Sequence, residues 1–174
     1  VQSTRLGWAG NTDWTIRERR GDFYIFQQHD DQVSPTYVAD LVAAASCAPD
    51  AAICFAEMQY TGLVNATDRG ISILGDPIQR VLTFLKRMET IPLRGLIRSS
   101  ALASSSGLLL SESDPFESFG TEIRLLAMLA VWRDFVFVPG PTYFKRMHGA
   151  NLHLKRSAWS AEARADRGLA WRCP

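Results

Sequence analysis

The chain has 174 residues, 47% of them hydrophobic and five of them Trp, with a formal net charge of +1. That length and composition suit one packed globular domain and exclude a disordered chain. The balance of 19 basic against 18 acidic residues gives no electrostatic ground for nucleic acid or an anionic membrane surface as partner.

Val1 to Gly10 reads as a short stretch with turns at Gly7 and Gly10. Asn11 or Thr12 then caps a helix running to about Arg20, and Gly21-Asp22 breaks it. Phe23 to Gln28 is a run of β-formers that ends in His29-Asp30-Asp31. Pro35 opens a helix to Cys47, with Val38, Leu41, Val42 and Ala45 at one-face spacing. Ala51 to Tyr60 is a continuous apolar run, the pattern of a strand covered on both faces. Thr61 to Gly75 is loop-like. Asp76-Pro77 starts a helix to about Met88, with Ile78, Val81, Leu82 and Leu85 on one side.

Pro92 to Ser106 reads as irregular and holds Gly95-Leu96-Ile97-Arg98. Asp114-Pro115-Phe116-Glu117 has the cap, proline and acidic residue of a helix start, and Thr121 to Trp132 is helical and mostly buried. Phe135 to Val138 and Thr142 to Phe144 are short strands around a Pro139-Gly140-Pro141 turn. After residue 150 the chain is charged and Ala-rich, with a peripheral helix from Ser157 to Arg167. The order is α/β, one domain over residues 1–150 and a C-terminal tail over 151–174.

The Asp30-Asp31 pair is the most informative local feature. Strand, acidic tip and helix start bring charge to the carboxyl edge of a sheet, where α/β proteins bind ligands. Adjacent carboxylates repel unless a cation, a donor group or water takes up the charge. Equally, either aspartate caps the helix that begins near Pro35. Beside the pair, His29 reads as a surface residue, and His153 as part of the tail.

Cys47, Cys54 and Cys173 are three, without paired spacing, so they form neither a disulfide framework nor a zinc knuckle. No stretch approaches the roughly 20 apolar residues that cross a bilayer, and the N-terminus lacks a signal-peptide pattern. The expected setting is a soluble, cytoplasmic protein.

Four segments, in order, resemble the family 2 glycosyltransferases, inverting nucleotide-sugar enzymes of GT-A fold. Arg5-Leu6-Gly7-Trp8-Ala9-Gly10-Asn11 is similar to the family's N-x-G-x-x-x-A-R-N stretch. Gly21-Asp22-Phe23-Tyr24-Ile25-Phe26, continued by Gln28-His29-Asp30-Asp31 and Pro35, is similar to G-(D/E)-Y-(I/L)-x-F-L-D-x-D-D-x-x-x-P. Phe119-Gly120-Thr121-Glu122-Ile123-Arg124-Leu125 stands where the family has F-x-E-D-x-x-L. Val138-Pro139 and Tyr143-Phe144-Lys145-Arg146-Met147-His148 are similar to V-P-x-x-L-Y-x-Y-R-x-H.

The resemblance implies a GT-A-like (Rossmann-like) mixed sheet with flanking helices. That fold is partial here, because nothing matches the family's opening nucleotide-binding strands. It implies a nucleotide-sugar donor, a UDP-sugar first, and a glycan or other hydroxyl acceptor. It assigns Asp30 and His148 to a divalent metal, Mn2+ or Mg2+, and Glu122 to the catalytic base. Asn11, Gln28, Asp30 and Asp31 fall at the donor, and Arg98 and Trp8 at the acceptor. Departures at the acidic positions are Gln28 for the first aspartate of D-x-D, Thr121 for a glutamate, and Glu122 for an aspartate one methylene shorter. The competing expectations are a non-catalytic sugar- or nucleotide-binding module of the same fold and a structural α/β domain.

Overall fold

The computed structural model describes residues 7–103 and 121–149. In chain order the elements are α1 (Gly7–Arg17), β1 (Phe23–Ile25), β2 (Gln32–Val33), α2 (Tyr37–Cys47), β3 (Ala51–Gly62), β4 (Ala66–Asp68) and α3 (Pro77–Arg87). A 3₁₀ turn (Ile91–Arg94), β5 (Leu96–Arg98), α4 (Ser99–Ala103), α5 (Thr121–Trp132) and β6 (Asp134–Met147) follow. The expected helix start at Asp114 and the tail from residue 151 lie outside the described residues.

The strands form one mixed sheet in the order β1-β5-β3-β6-β2, with β4 paired to the far half of β3. β3 and β6 run parallel, and the remaining pairings are antiparallel. The central strand β3 is buried from Ala51 to Ala56, as its unbroken apolar run requires of a strand covered on both faces. Its Phe55 ring meets Phe137 of β6 edge to face at 5.7 Å.

An α/β fold with a mixed sheet and flanking helices is thus present, but the sheet curls into a half-barrel instead of lying open. The cause is visible in the central pair. The register of β3 on β6 shifts between Ala51 and Ile53 and again between Phe55 and Glu57, and such bulges bend and twist a strand. Pro139-Gly140-Pro141 sits at the second shift, with Gly140 at φ 111°. The expected turn between two short strands is therefore a bulge inside one 14-residue strand.

Of the Pro92–Ser106 segment, expected to be irregular, the described residues 92–103 form a 3₁₀ turn, a strand and a short helix, buried from Pro92 to Ile97. Gly95 explains its placement: a Cβ there would lie 2.5 Å from the Cys54 carbonyl and 2.6 Å from the Phe55 Cβ. Only glycine lets the 3₁₀ turn lie flush on β3 and hand the chain into β5, which pairs Ile97 with Ile53.

α3 begins where its sequence says. The Asp76 side chain accepts from the N–H groups of Ile78 (2.9 Å) and Gln79 (3.0 Å), closing a capping box. Its buried face is not the expected one. Arg80 and Phe84 point inward, while Ile78, Leu82 and Leu85 are 73%, 52% and 45% exposed. Arg80 accounts for the rotation: it donates to the carbonyls of Ala130 (2.8 Å), Val131 (2.9 Å) and Gly75, and pairs with Asp134 at 3.2 Å. One guanidinium thus caps the end of α5 and ties it to α3. α2 turns similarly, burying Tyr37, Leu41 and Ala45 and leaving Val38 and Val42 exposed. α1 starts at Gly7, so Asn11 lies inside the helix and is not its cap.

Candidate functional site

The β1–β2 connection is folded back on β6. β2 pairs with Tyr143 and Phe144 of β6, which sets the acidic tip beside that strand's last residues. Asp31 is buried; its Oδ2 accepts from the Tyr143 hydroxyl (2.8 Å) and its Oδ1 from the Arg146 N–H (2.9 Å). Gln27 Nε2 donates to the Asp31 carbonyl (2.9 Å), and the Asp31 N–H donates to the Gln28 carbonyl (3.3 Å). These bonds lock the corner. The start of α2 has Thr36 at its cap with no side-chain bond, which removes the capping explanation of both aspartates.

Locking Asp31 inward turns Asp30 outward. Its Oδ2 accepts from His148 Nε2 at 2.8 Å, and both side chains keep contact with solvent. The His148 hydrogen bond holds the Asp30 carboxyl below its usual value, against the partial burial that would raise it; the charge of His29 adds to the lowering. His29 itself is exposed. A carboxylate oxygen and an imidazole nitrogen in contact suit a hard divalent cation that takes few protein ligands and completes its shell with water and phosphate oxygens. Among the described residues no third His, Cys, Asp or Glu joins them.

Glu122 lies partly buried in the first turn of α5, behind the fully buried Thr121. What relates it to the acidic corner is Lys145 of β6. The Lys145 ammonium is held below its ordinary range, first by burial and next by the repulsion of Arg94, against the pull of Asp31, Glu122 and Asp30. The pulls of these carboxylates are outweighed by the burial and the arginine. Lys145 stands opposite Tyr60 in the sheet, with its Nζ 5.9 Å from that ring.

Arg98 is elsewhere. Its Nε donates to the Ala51 carbonyl (3.1 Å), its Nη2 donates to those of Ala45 (2.9 Å) and Ala48 (3.4 Å), and it stacks 5.1 Å from Phe23. Ala51 begins β3 and Tyr60 is nine residues along it, about 30 Å of extended strand. Arg98, expected at the acceptor, thus caps the carbonyl end of α2 beside the start of β3. Asn11 is exposed on α1, and Trp8 belongs to the same helix with its side chain outside the described residues. α1 touches the sheet through Thr15, whose hydroxyl is 2.8 Å from that of Tyr24.

Three residues that the sequence reading did not single out belong to this region. Tyr143 is the clamp on Asp31, and its hydroxyl proton is held tightly by burial and that carboxylate. Arg94 is 5% exposed, its carbonyl accepts from Tyr37 (3.0 Å), and its guanidinium lies 5.5 Å from the Phe26 ring. Lys145 is the third. The one available signal was a lone arginine inside the apolar run Ile91-Pro92-Leu93-Arg94-Gly95-Leu96-Ile97, since a charge kept in a buried segment needs a reason.

No family model and no curated protein matches the chain. Among solved structures, the fold is similar to that of S. aureus TarS 1–349, with a TM-score of 0.58 and 12% identity. The match covers 83% of this chain and 42% of that one. At that identity the likeness is one of fold, and the chain spans well under half the length of the protein it matches.

Proposed function

We propose that this chain carries part of the catalytic cleft of an inverting glycosyltransferase, moving a sugar from a nucleotide donor, a UDP-sugar first, to a hydroxyl acceptor. One observation carries the reading: Asp30 and His148, 118 positions apart in the chain, meet at 2.8 Å with both side chains reaching solvent. The likeness to TarS supports the fold that this reading requires.

The division of labour follows from the surroundings of each group. Asp30 and His148 would hold a divalent cation, Mn2+ or Mg2+, which when bound offsets the charge that grows on a diphosphate as the sugar departs. Asp31 faces inward and keeps Asp30 in place. Glu122 takes the proton of the acceptor hydroxyl as that oxygen bonds to the anomeric carbon and the bond from that carbon to the diphosphate oxygen breaks. Gln28, at the turn between β1 and β2, offers an amide to the donor's ribose.

The test is sugar transfer or UDP-sugar hydrolysis by the purified protein with Mn2+. Asp30→Ala and Glu122→Gln are each expected to remove the activity while leaving the far-UV spectrum unchanged. Equal turnover by both variants and the parent would end the assignment. A second reading, a sugar- or nucleotide-binding module without the reaction, draws on Gln28 and on Thr121, uncharged where the family pattern has carboxylates and, in Thr121, wholly buried. It forecasts ligand binding that survives Glu122→Gln with no turnover by the parent.

A further inference from the structure

The two strongly buried arginines of the described residues are treated in opposite ways. Arg80 is saturated, with three carbonyls and a carboxylate around its guanidinium. Arg94 is equally buried, yet its Nη1 is enclosed without a hydrogen-bond partner. Lys145 lies in the field of Arg94 and is itself partly buried. No carboxylate among the described residues forms an ion pair with either. Of the acidic groups whose charge reaches Lys145, Asp31 is engaged by Tyr143 and Arg146 and Asp30 by His148, while Glu122 pulls on the ammonium without an ion pair. A buried guanidinium with an unused donor, beside a partly buried ammonium that it repels, is costly in the absence of a bound counter-ion.

A structural role does not account for the pair. Arg94 could be replaced by an apolar side chain of similar length without losing a hydrogen bond at Nη1, and the lysine stands where the family pattern quoted above has an aromatic residue. What the two supply together is a planar fork of donors and a point charge, the combination that recognises a doubly charged oxyanion. Phe26 and Tyr60 hold the two cations from behind, at 5.5 and 5.9 Å from their ring centres.

We infer that Arg94 and Lys145 form an anion subsite of this cleft that takes a phosphoryl group of the substrate. The subsite rests on the transfer reading only for the source of that group, which is either the donor's diphosphate or a phosphorylated acceptor. It makes no demand on the metal pair.

The experiment is calorimetric titration of inorganic phosphate into the protein, with EDTA present and chloride holding the ionic strength constant. The parent is expected to bind phosphate, and Lys145→Met and Arg94→Met each to weaken it by on the order of tenfold or more. In the absence of phosphate, Lys145→Met is also expected to unfold at the same or a higher temperature than the parent, because a partly buried ammonium that Arg94 repels has been removed. No binding by the parent, or unchanged affinity in Lys145→Met, overturns the subsite; should Arg94→Met fail to fold, the lysine variant decides. Competition then separates the sources. Displacement of phosphate by UDP assigns the donor, and displacement by a simple alkyl phosphate but not by UDP assigns the acceptor. Phosphate binding without any sugar transfer sinks the transferase reading and keeps the subsite, whereas transfer without phosphate binding does the reverse.

Discussion

Replacing Asp31 by alanine removes both acceptors that lock the β1–β2 corner. The Tyr143 hydroxyl, fully buried, loses its partner at 2.8 Å, and the Arg146 N–H loses its own at 2.9 Å. Hydrogen bonds to a charged group contribute about 1.5–3 kcal/mol each, and a buried donor left without a partner adds its desolvation cost. Arg146 is exposed, so its N–H regains water and the tyrosine carries most of the penalty. The expected loss is about 3 kcal/mol, or roughly 6–12 °C in Tm for a domain of this size. Urea denaturation followed by circular dichroism measures it. Tyr143→Phe should cost less, about 1–2 kcal/mol, and the double variant should show a coupling of about 1 kcal/mol because both changes break one bond. A loss below about 1 kcal/mol for Asp31→Ala, or strict additivity with Tyr143→Phe, would refute the clamp. Asp31→Asn keeps one acceptor oxygen and should fall between the parent and the alanine variant.

Arg80→Met is expected to destabilise by about 3 kcal/mol, because the carbonyls at the end of α5 lose their donors in a buried place; the same denaturation series checks it. Gly95→Ala places a Cβ 2.5 Å from the Cys54 carbonyl and should cost about 3 kcal/mol or more by lifting β5 from β3, read as loss of soluble protein or of the cooperative transition. The lowered pKa of Asp30 has a defined sign. Its contribution is present above the ordinary carboxylate value of 3.8 and is lost as pH falls through the lower folded value. Asp30→Asn should therefore lower stability at neutral pH, flatten the profile below about pH 4 and converge with the parent at the acid end, as thermal melts across pH would show. Cys47 is exposed and Cys54 buried, so in the native state a maleimide reagent should label Cys47 and leave Cys54 unmodified, as mass spectrometry of the digested protein would show.

Much of the framework is legible where local chemistry decides it. Asp76-Pro77 with Gln79 announces a helix start, and the apolar run from Ala51 announces a doubly covered strand; both are found. Faces were less readable. Ile78, Leu82 and Leu85 share a helical stripe, but α3 buries Arg80 because the end of α5 needs its donors, and no periodicity in one segment reveals a requirement set by another. Proline and glycine at 139–141 signal a break, yet pairing with β3 carries the strand through it as a bulge. β5 is three residues behind a glycine, too short for any period to show. The acidic corner was readable as charge at a strand end, while its division into an inward Asp31 and an outward Asp30 depends on Tyr143, over a hundred residues away. Glu122 came from family likeness alone, and Arg94 from neither.

The most direct test asks whether the corner and the remote helix share one cleft. With Mn2+ added to isotopically labelled protein, paramagnetic broadening should strike the backbone signals of Asp30, His148, Lys145 and Glu122 and spare Arg98 beside the start of β3, and Asp30→Ala should abolish it. Sharp Glu122 signals beside a broadened His148, or Mn2+ that settles elsewhere on the protein, would contradict a common site.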